Sequence, residues 1–169
     1  MIVKGRARKS LAPMQYAVAQ LARREHSRAE LRNKLQRRLR SELSAGNAAG
    51  PSDDPAVSVE KILDDLQAKG LLSDARFAAV LTRSRADRFG TARIQQEMRE
   101  HNLPDEVVRP SIEALKATEE QRARAVWQRR FGRPPTDATE RARQMRFLAQ
   151  RGFSTAVVLR VVRSAVADD

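Results

Sequence analysis

The sequence predicts an all-α fold, an elongated tandem array of three-helix units with about nine helices and no sheet. Three observations carry that expectation. Apolar residues recur three or four positions apart through most of the chain. Seven prolines and seven glycines in 169 residues leave room for long helices between breakers. Hydrophobic content of 41% with only 4% aromatic residues favours several thin cores over one thick one.

Residues 1–12 read as a flexible basic arm carrying Lys4, Arg6, Arg8 and Lys9. Pro13 opens the first helix as its N1 residue, with Met14, Ala17, Val18 and Leu21 as the apolar stripe. Ser27 with Glu30 forms a capping-box pattern before a helix that turns Leu31, Leu35, Leu39 and Leu43 inward. Residues 44–55 are a loop by composition, small and acidic. A helix over 57–69 follows, with Ile62, Leu63 and Leu66 inside. Gly70 and Leu71 suit a left-handed glycine stop.

Ser73 or Asp74 caps the next helix, whose inner face is Phe77, Val80, Leu81 and Ser84. Phe89 and Gly90 form a structural joint that stops it before Thr91 begins a helix with Ile94 and Met98 inside. Asn102 takes a left-handed stop, and Pro104 starts a helix burying Val107, Val108, Ile112 and Leu115, with Pro110 expected to kink it or raise its first turn. Thr118 to Gln121 reads as a capping box for a helix with Ala123, Val126, Trp127 and Phe131 inside. After a turn at 132–135, Asp137 to Glu140 caps a helix with Ala142, Met145, Leu148 and Ala149 inside. Gly152 stops it, and Ser154 caps a last helix burying Val158, Val161, Val162 and Ala165.

These helices fall into threes. From Leu103, apolar residues follow at the same offsets (Val107, Val108, Ile112, Leu115) as from Phe153 (Val157, Val158, Val162, Ala165). From Val57 the match is weaker, retaining Ile62 and Leu66. The expected units are 13–70, 71–117 and 118–169, each too small to fold well without its neighbour.

The formal charge is +12, and its distribution says more than its total. Residues 1–50 hold 12 basic and 3 acidic side chains, 51–117 hold 10 and 12, and 118–169 hold 11 and 6. Arginine outnumbers lysine 27 to 6, which suits bidentate contact with phosphate. The candidate binding arginines are Arg85, Arg88, Arg93 and Arg99 around the joint, then Arg122, Arg129, Arg130, Arg141, Arg143, Arg146, Arg151, Arg160 and Arg163 in the last unit. The plain alternative is an ordinary charged helix surface with pairs such as Glu120 and Arg124. Phosphate binding through such a set is salt-dependent and largely blind to base sequence.

Signals for covalent chemistry are missing. The chain has no cysteine, no glycine-rich phosphate loop and no HExxH sequence, so no cofactor or metal is expected and the protein reads as a non-enzyme. His26 and His101 sit near helix junctions, where capping or surface roles are expected. Asp64 and Asp65 diverge by roughly 100° on a helix and read as solvated carboxylates. The start lacks the apolar stretch of a secretory signal, and no run approaches the roughly 20 apolar residues of a membrane span, so a cytoplasmic protein without a membrane partner is expected.

The stretch GLLSDARFAAVLTRSRADRFGTARIQQEM followed by HNLPDEVV resembles the middle of the bacterial RecX family. YAVAQLARREHSRAELRNKL and FLAQRGFSTAVVLRVV resemble its flanking parts, so the likeness covers roughly 14–166. The resemblance implies tandem three-helix units and a monomer that binds the RecA recombinase filament. It further implies inhibition of ATPase, strand exchange and co-protease activity, in recombinational repair and the SOS response. Single- and double-stranded DNA are implied as further partners. The family pattern of basic, aromatic, Gly and basic residues falls on Arg85 or Arg88, Phe89, Gly90 and Arg93, while the 44–55 loop departs from shorter members. The main rival is a helix-turn-helix transcriptional regulator using 91–116 or 138–166, which predicts a preferred DNA site. A basic RNA-associated helical protein is a second rival.

Overall fold

The computed structural model describes residues 12–45 and 55–167, and these contain nine α-helices and no strand. Most of the expected arm and loop, 1–11 and 46–54, lies outside the described residues, as does the side chain of Val57. The chain divides into two compact units, Met1–Ser73 and Asp74–Asp169.

The first unit holds α1 (Pro13–Leu21), α2 (Arg28–Ser44) and α3 (Pro55–Ala68). Pro13 starts α1, where its missing N–H costs nothing. Ser27 caps α2 by accepting the Glu30 amide at 3.1 Å. The core is Ala17, Leu31, Leu35, Val59, Leu63, Leu66 and Leu72, with Met14, Tyr16, Leu21, Leu39 and Ile62 packed against it. Each fully buried leucine contributes about 1.5–3 kcal/mol relative to exposure. Val18 and Leu43, expected inside, are exposed. Ala17 at 0% exposure lets α2 approach closely and sets the inner face of α1, which leaves Val18, about 100° further round, outside. Leu43 lies in the last turn of α2, beyond the end of the core at Leu39. Gly70 takes φ +67°, the left-handed stop expected of it.

The second unit holds two three-helix bundles. The first comprises α4 (Asp74–Arg85), α5 (Thr91–Glu100) and α6 (Asp105–Ala117), with α6 packed on both α4 and α5. Its core joins Phe77, Ala78 and Leu81 to Ile94, Met98, Leu103, Val108, Ile112 and Leu115. Val80 and Ser84 are exposed because Ala78 takes the inner position between Phe77 and Leu81. Asn102 takes φ +50°, and α6 runs unbroken through an exposed Pro110 from its N-cap at Pro104. The second bundle comprises α7 (Glu119–Arg130), α8 (Ala138–Gln150) and α9 (Thr155–Ala167), with α9 packed on both α7 and α8. The matched offsets from Leu103 and Phe153 thus occupy equivalent core positions: Val108, Ile112 and Leu115 in one bundle, Val158, Val162 and Ala165 in the other.

Two caps divide in outcome. Asp137 accepts the Glu140 amide at 2.7 Å, as its pattern predicts. Thr118 makes no side-chain cap, because its hydroxyl donates back to the Leu115 carbonyl at 3.3 Å where α6 passes directly into α7. In α8 the inner positions are Gln144 and Leu148, both at 0% exposure, while Ala142 and Ala149 face outward. Trp127 is the cause: its indole N–H, buried with it, donates to Gln144 Oε1 at 2.7 Å.

Candidate protein and nucleic-acid interface at the joint of two bundles

The two bundles of the second unit meet backbone to backbone. The Gly90 amide donates to the Arg151 carbonyl at 2.8 Å, and the Ala92 amide to the Gly152 carbonyl at 3.2 Å. Gly90 is the N-cap of α5 in extended conformation, so the helix stop expected there is the start of the next helix. Its glycine identity is required by approach, since a Cβ would lie 2.2 Å from the backbone of Gly152 and Phe153. Gly152 faces both demands, with φ +82° and a Cβ position 2.7 Å from Arg93.

Arg122 clamps this joint from within. Its guanidinium donates to the carbonyls of Phe89 at 2.6 Å, Leu115 at 3.0 Å and Ala86 at 3.3 Å, and to the Thr91 hydroxyl at 3.1 Å. Burial lowers its pKa against the opposing influence of Glu119 and Asp87. Buried Glu119 accepts the Thr91 amide at 2.9 Å, satisfying a first-turn donor of α5. Arg122, predicted among the surface arginines, instead spends its donors on the protein's own backbone.

On the outer side of the joint, Arg88, Arg129, Arg130 and Arg151 surround an open cleft of about 600 Å³ with Phe89, Val126, Phe147 and Asp87. A smaller hollow of about 290 Å³ shares Arg130 and Phe147 and adds Phe131, Arg143, Arg146 and Gln150. The guanidiniums lie over aromatic rings: Arg151 at 3.7 Å from the Phe147 centroid, Arg88 and Arg93 at 5.6 and 5.3 Å from Phe89, and Arg143 at 5.8 Å from Phe131. Phe131 and Phe147 meet edge to face at 5.1 Å. Arg129 donates to the Asp87 carbonyl. Among the described residues, Arg88, Arg129, Arg130, Arg146 and Arg151 form no ion pair.

The other predicted arginines are dispersed. Arg85 pairs with Glu97 at 2.7 Å, and Arg93 approaches the same carboxylate at 3.9 Å. Arg160 pairs with Glu120 at 2.8 Å, and the Arg124 guanidinium donates to the Ser164 hydroxyl at 2.9 Å. Arg99, Arg141 and Arg163 are exposed on α5, α8 and α9, away from the cleft. Sequence reasoning misses Phe147, Val126 and Asp87 as cleft residues. A signal for Phe147 is present: Arg143 and Arg151 flank it at four-residue spacings, which places all three on one helix face.

His26 is buried rather than at the surface, with Nδ1 3.1 Å from Glu30 Oε1, and burial lowers its pKa despite that carboxylate. His101 meets Phe77 edge to face at 4.8 Å. Among the described residues, no three His, Cys, Asp or Glu side chains are grouped to hold a metal, and no helix is long and apolar enough to cross a membrane.

Fold and site together define a protein of repeated three-helix units, with arginines gathered beside a joint made through main chain. Two family models match, described as the second three-helix domain of RecX over 73–109 and the third three-helix domain of RecX over 118–162. The chain is 49% identical to the regulatory protein RecX of Leptothrix cholodnii over 149 residues, covering 88% of this chain and 86% of that one. It is 46% identical to the regulatory protein RecX of Ralstonia nicotianae, covering 88% and 85%. The crystal structure of RecX from Lactobacillus salivarius superposes with a TM-score of 0.69 at 14% identity, covering 92% of this chain and 95% of that one. The chain belongs to the RecX family of regulatory proteins.

Proposed function

We propose that this protein binds the RecA recombinase on DNA and restrains its ATPase, strand exchange and co-protease activity, and so modulates recombinational repair and the SOS response in the cytoplasm. Family membership supports the partner. The observation that carries the mode of action is the group of arginines without ion pairs, Arg88 and Arg151 among them held over aromatic rings, beside a joint made through main chain. Such a surface recognises oxyanions without a reaction centre, so the protein acts by holding one state of the filament. The three units at 13–70, 71–117 and 118–169 present separate contacts to successive protomers. Arg88, Arg129, Arg130, Arg143, Arg146 and Arg151 are the principal contacts, with Arg93, Arg99, Arg141 and Arg163 as outlying phosphate contacts.

The test is the DNA-dependent ATPase of RecA on single-stranded DNA, with this protein titrated well below one per RecA and DNA in excess. Inhibition at such ratios is expected. Loss of activity only once the DNA is saturated would instead indicate competition for phosphate and would defeat the filament reading.

A further inference from the structure

The cleft at the joint is built differently from a nucleic-acid groove, and we infer that it takes an extended protein segment whose carboxylates flank an apolar side chain. This deepens the filament reading, on which it rests for the identity of the protein that carries the segment. Three observations favour a peptide over a nucleotide strand. The floor is apolar, formed by Val126 and the rings of Phe89 and Phe147. A phosphodiester backbone leaves such a floor unused, whereas one leucine or phenylalanine anchored there removes it from water.

Each of the two rings already carries a guanidinium over a face, which leaves the rest of its apolar surface to the cleft. Arg151 lies 3.7 Å from the Phe147 centroid and Arg88 5.6 Å from that of Phe89, so a base stacking on those faces, as on single-strand platforms, would first have to displace a guanidinium. The same stacking holds each guanidinium fork in place for a carboxylate. The third observation is Asp87, an exposed acidic residue of the lining whose backbone carbonyl accepts from Arg129. It repels a strand that carries a charge at every nucleotide, while a peptide can place an uncharged residue opposite it.

Fluorescence polarisation of the full chain tests this with labelled Gly-Asp-Leu-Asp-Phe-Glu-Gly, a charge-matched peptide with serine in place of leucine and phenylalanine, and oligo(dT). The apolar-anchored peptide is expected to bind about tenfold or more tightly than the serine peptide, and not to be displaced by oligo(dT). Arg130→Glu and Arg151→Gln, both changes to partly or fully exposed side chains, should each weaken it several-fold with an unchanged circular dichroism spectrum. Equal binding of the two peptides, or displacement by oligo(dT) with the same sensitivity to Arg130→Glu, would overturn the inference in favour of a nucleic-acid groove. The RecA ATPase separates the two readings. Inhibition that excess anchored peptide does not relieve removes the cleft as the filament contact and leaves regulation standing. Peptide binding by a chain that never inhibits RecA supports the cleft and defeats the regulatory reading.

Discussion

The Gly90 amide donates to the Arg151 carbonyl at 2.8 Å, so that the start of α5 and the end of α8 touch through main chain alone. A side chain at 90 would stand 2.2 Å from the backbone of Gly152, a clash no rotamer relieves. Gly90→Ala should therefore cost about 1–3 kcal/mol through forced separation of the bundles, although its φ of −75° is ordinary for alanine. Thermal unfolding followed by circular dichroism measures the cost. Wild-type stability in this variant would mean that the two bundles can separate freely.

Arg122 serves that joint rather than the outer surface. Replacing it with methionine keeps the stem but removes the donors to the Ala86, Phe89 and Leu115 carbonyls and the Thr91 hydroxyl. A loss of about 2–3 kcal/mol is expected, with Arg122→Lys only partly restoring it because one ammonium cannot reproduce the planar fork. Denaturant unfolding checks both variants. An unperturbed Arg122→Met protein with weakened DNA binding would return Arg122 to the binding set.

Much of this architecture is legible in the sequence where local chemistry decides it. Ser27 and Asp137 cap as their spacing predicts, and Gly70, Asn102 and Gly152 take positive φ at the expected helix ends. Apolar periodicity finds Leu31, Leu63, Ile94 and Val162. What escapes depends on a partner remote in sequence. Gln144 is buried because Trp127 needs an acceptor, Glu119 because the Thr91 amide does, and Arg122 because carbonyls from the α4–α5 connection and the end of α6 converge on it. The candidate site is likewise half visible: arginines stand out by charge, but which of them share a cleft follows from the joint between bundles.

Arg130 and Arg146 are exposed, lack ion pairs among the described residues, and line the hollow beside Phe147. The double change Arg130→Glu and Arg146→Glu should leave stability within about 0.5 kcal/mol. If either arginine meets phosphate, the slope of log affinity for DNA against log salt should fall by about 1 for every phosphate no longer engaged. A salt titration by fluorescence polarisation reads it. An unchanged slope would move DNA binding to other arginines, Arg99, Arg141 and Arg163 first.

The first unit should weaken in acid in two separate windows. Arg32 and Arg28 hold the Glu60 carboxyl at about 2, against 4.5 for the unperturbed group, through ion pairs that tie α2 to α3. Because the folded value is depressed, this contribution is complete above pH 4.5 and disappears as pH falls toward 2. Glu60 is 43% exposed, so screening keeps the contribution near the surface range of about 0.2–1 kcal/mol. His26 acts at higher pH. Burial outweighs the pull of Glu30 and lowers its pKa from 6.5, so neutral His26 favours the fold, and that preference is lost as pH falls through the lowered value. Amide exchange at Leu35 and Leu63, both fully buried in this unit, separates the windows. Glu60→Gln should be less protected than wild type at neutral pH and converge with it near pH 2. His26→Gln should flatten only the fall at higher pH, and a wild-type profile without that fall would mean His26 is protonated in place.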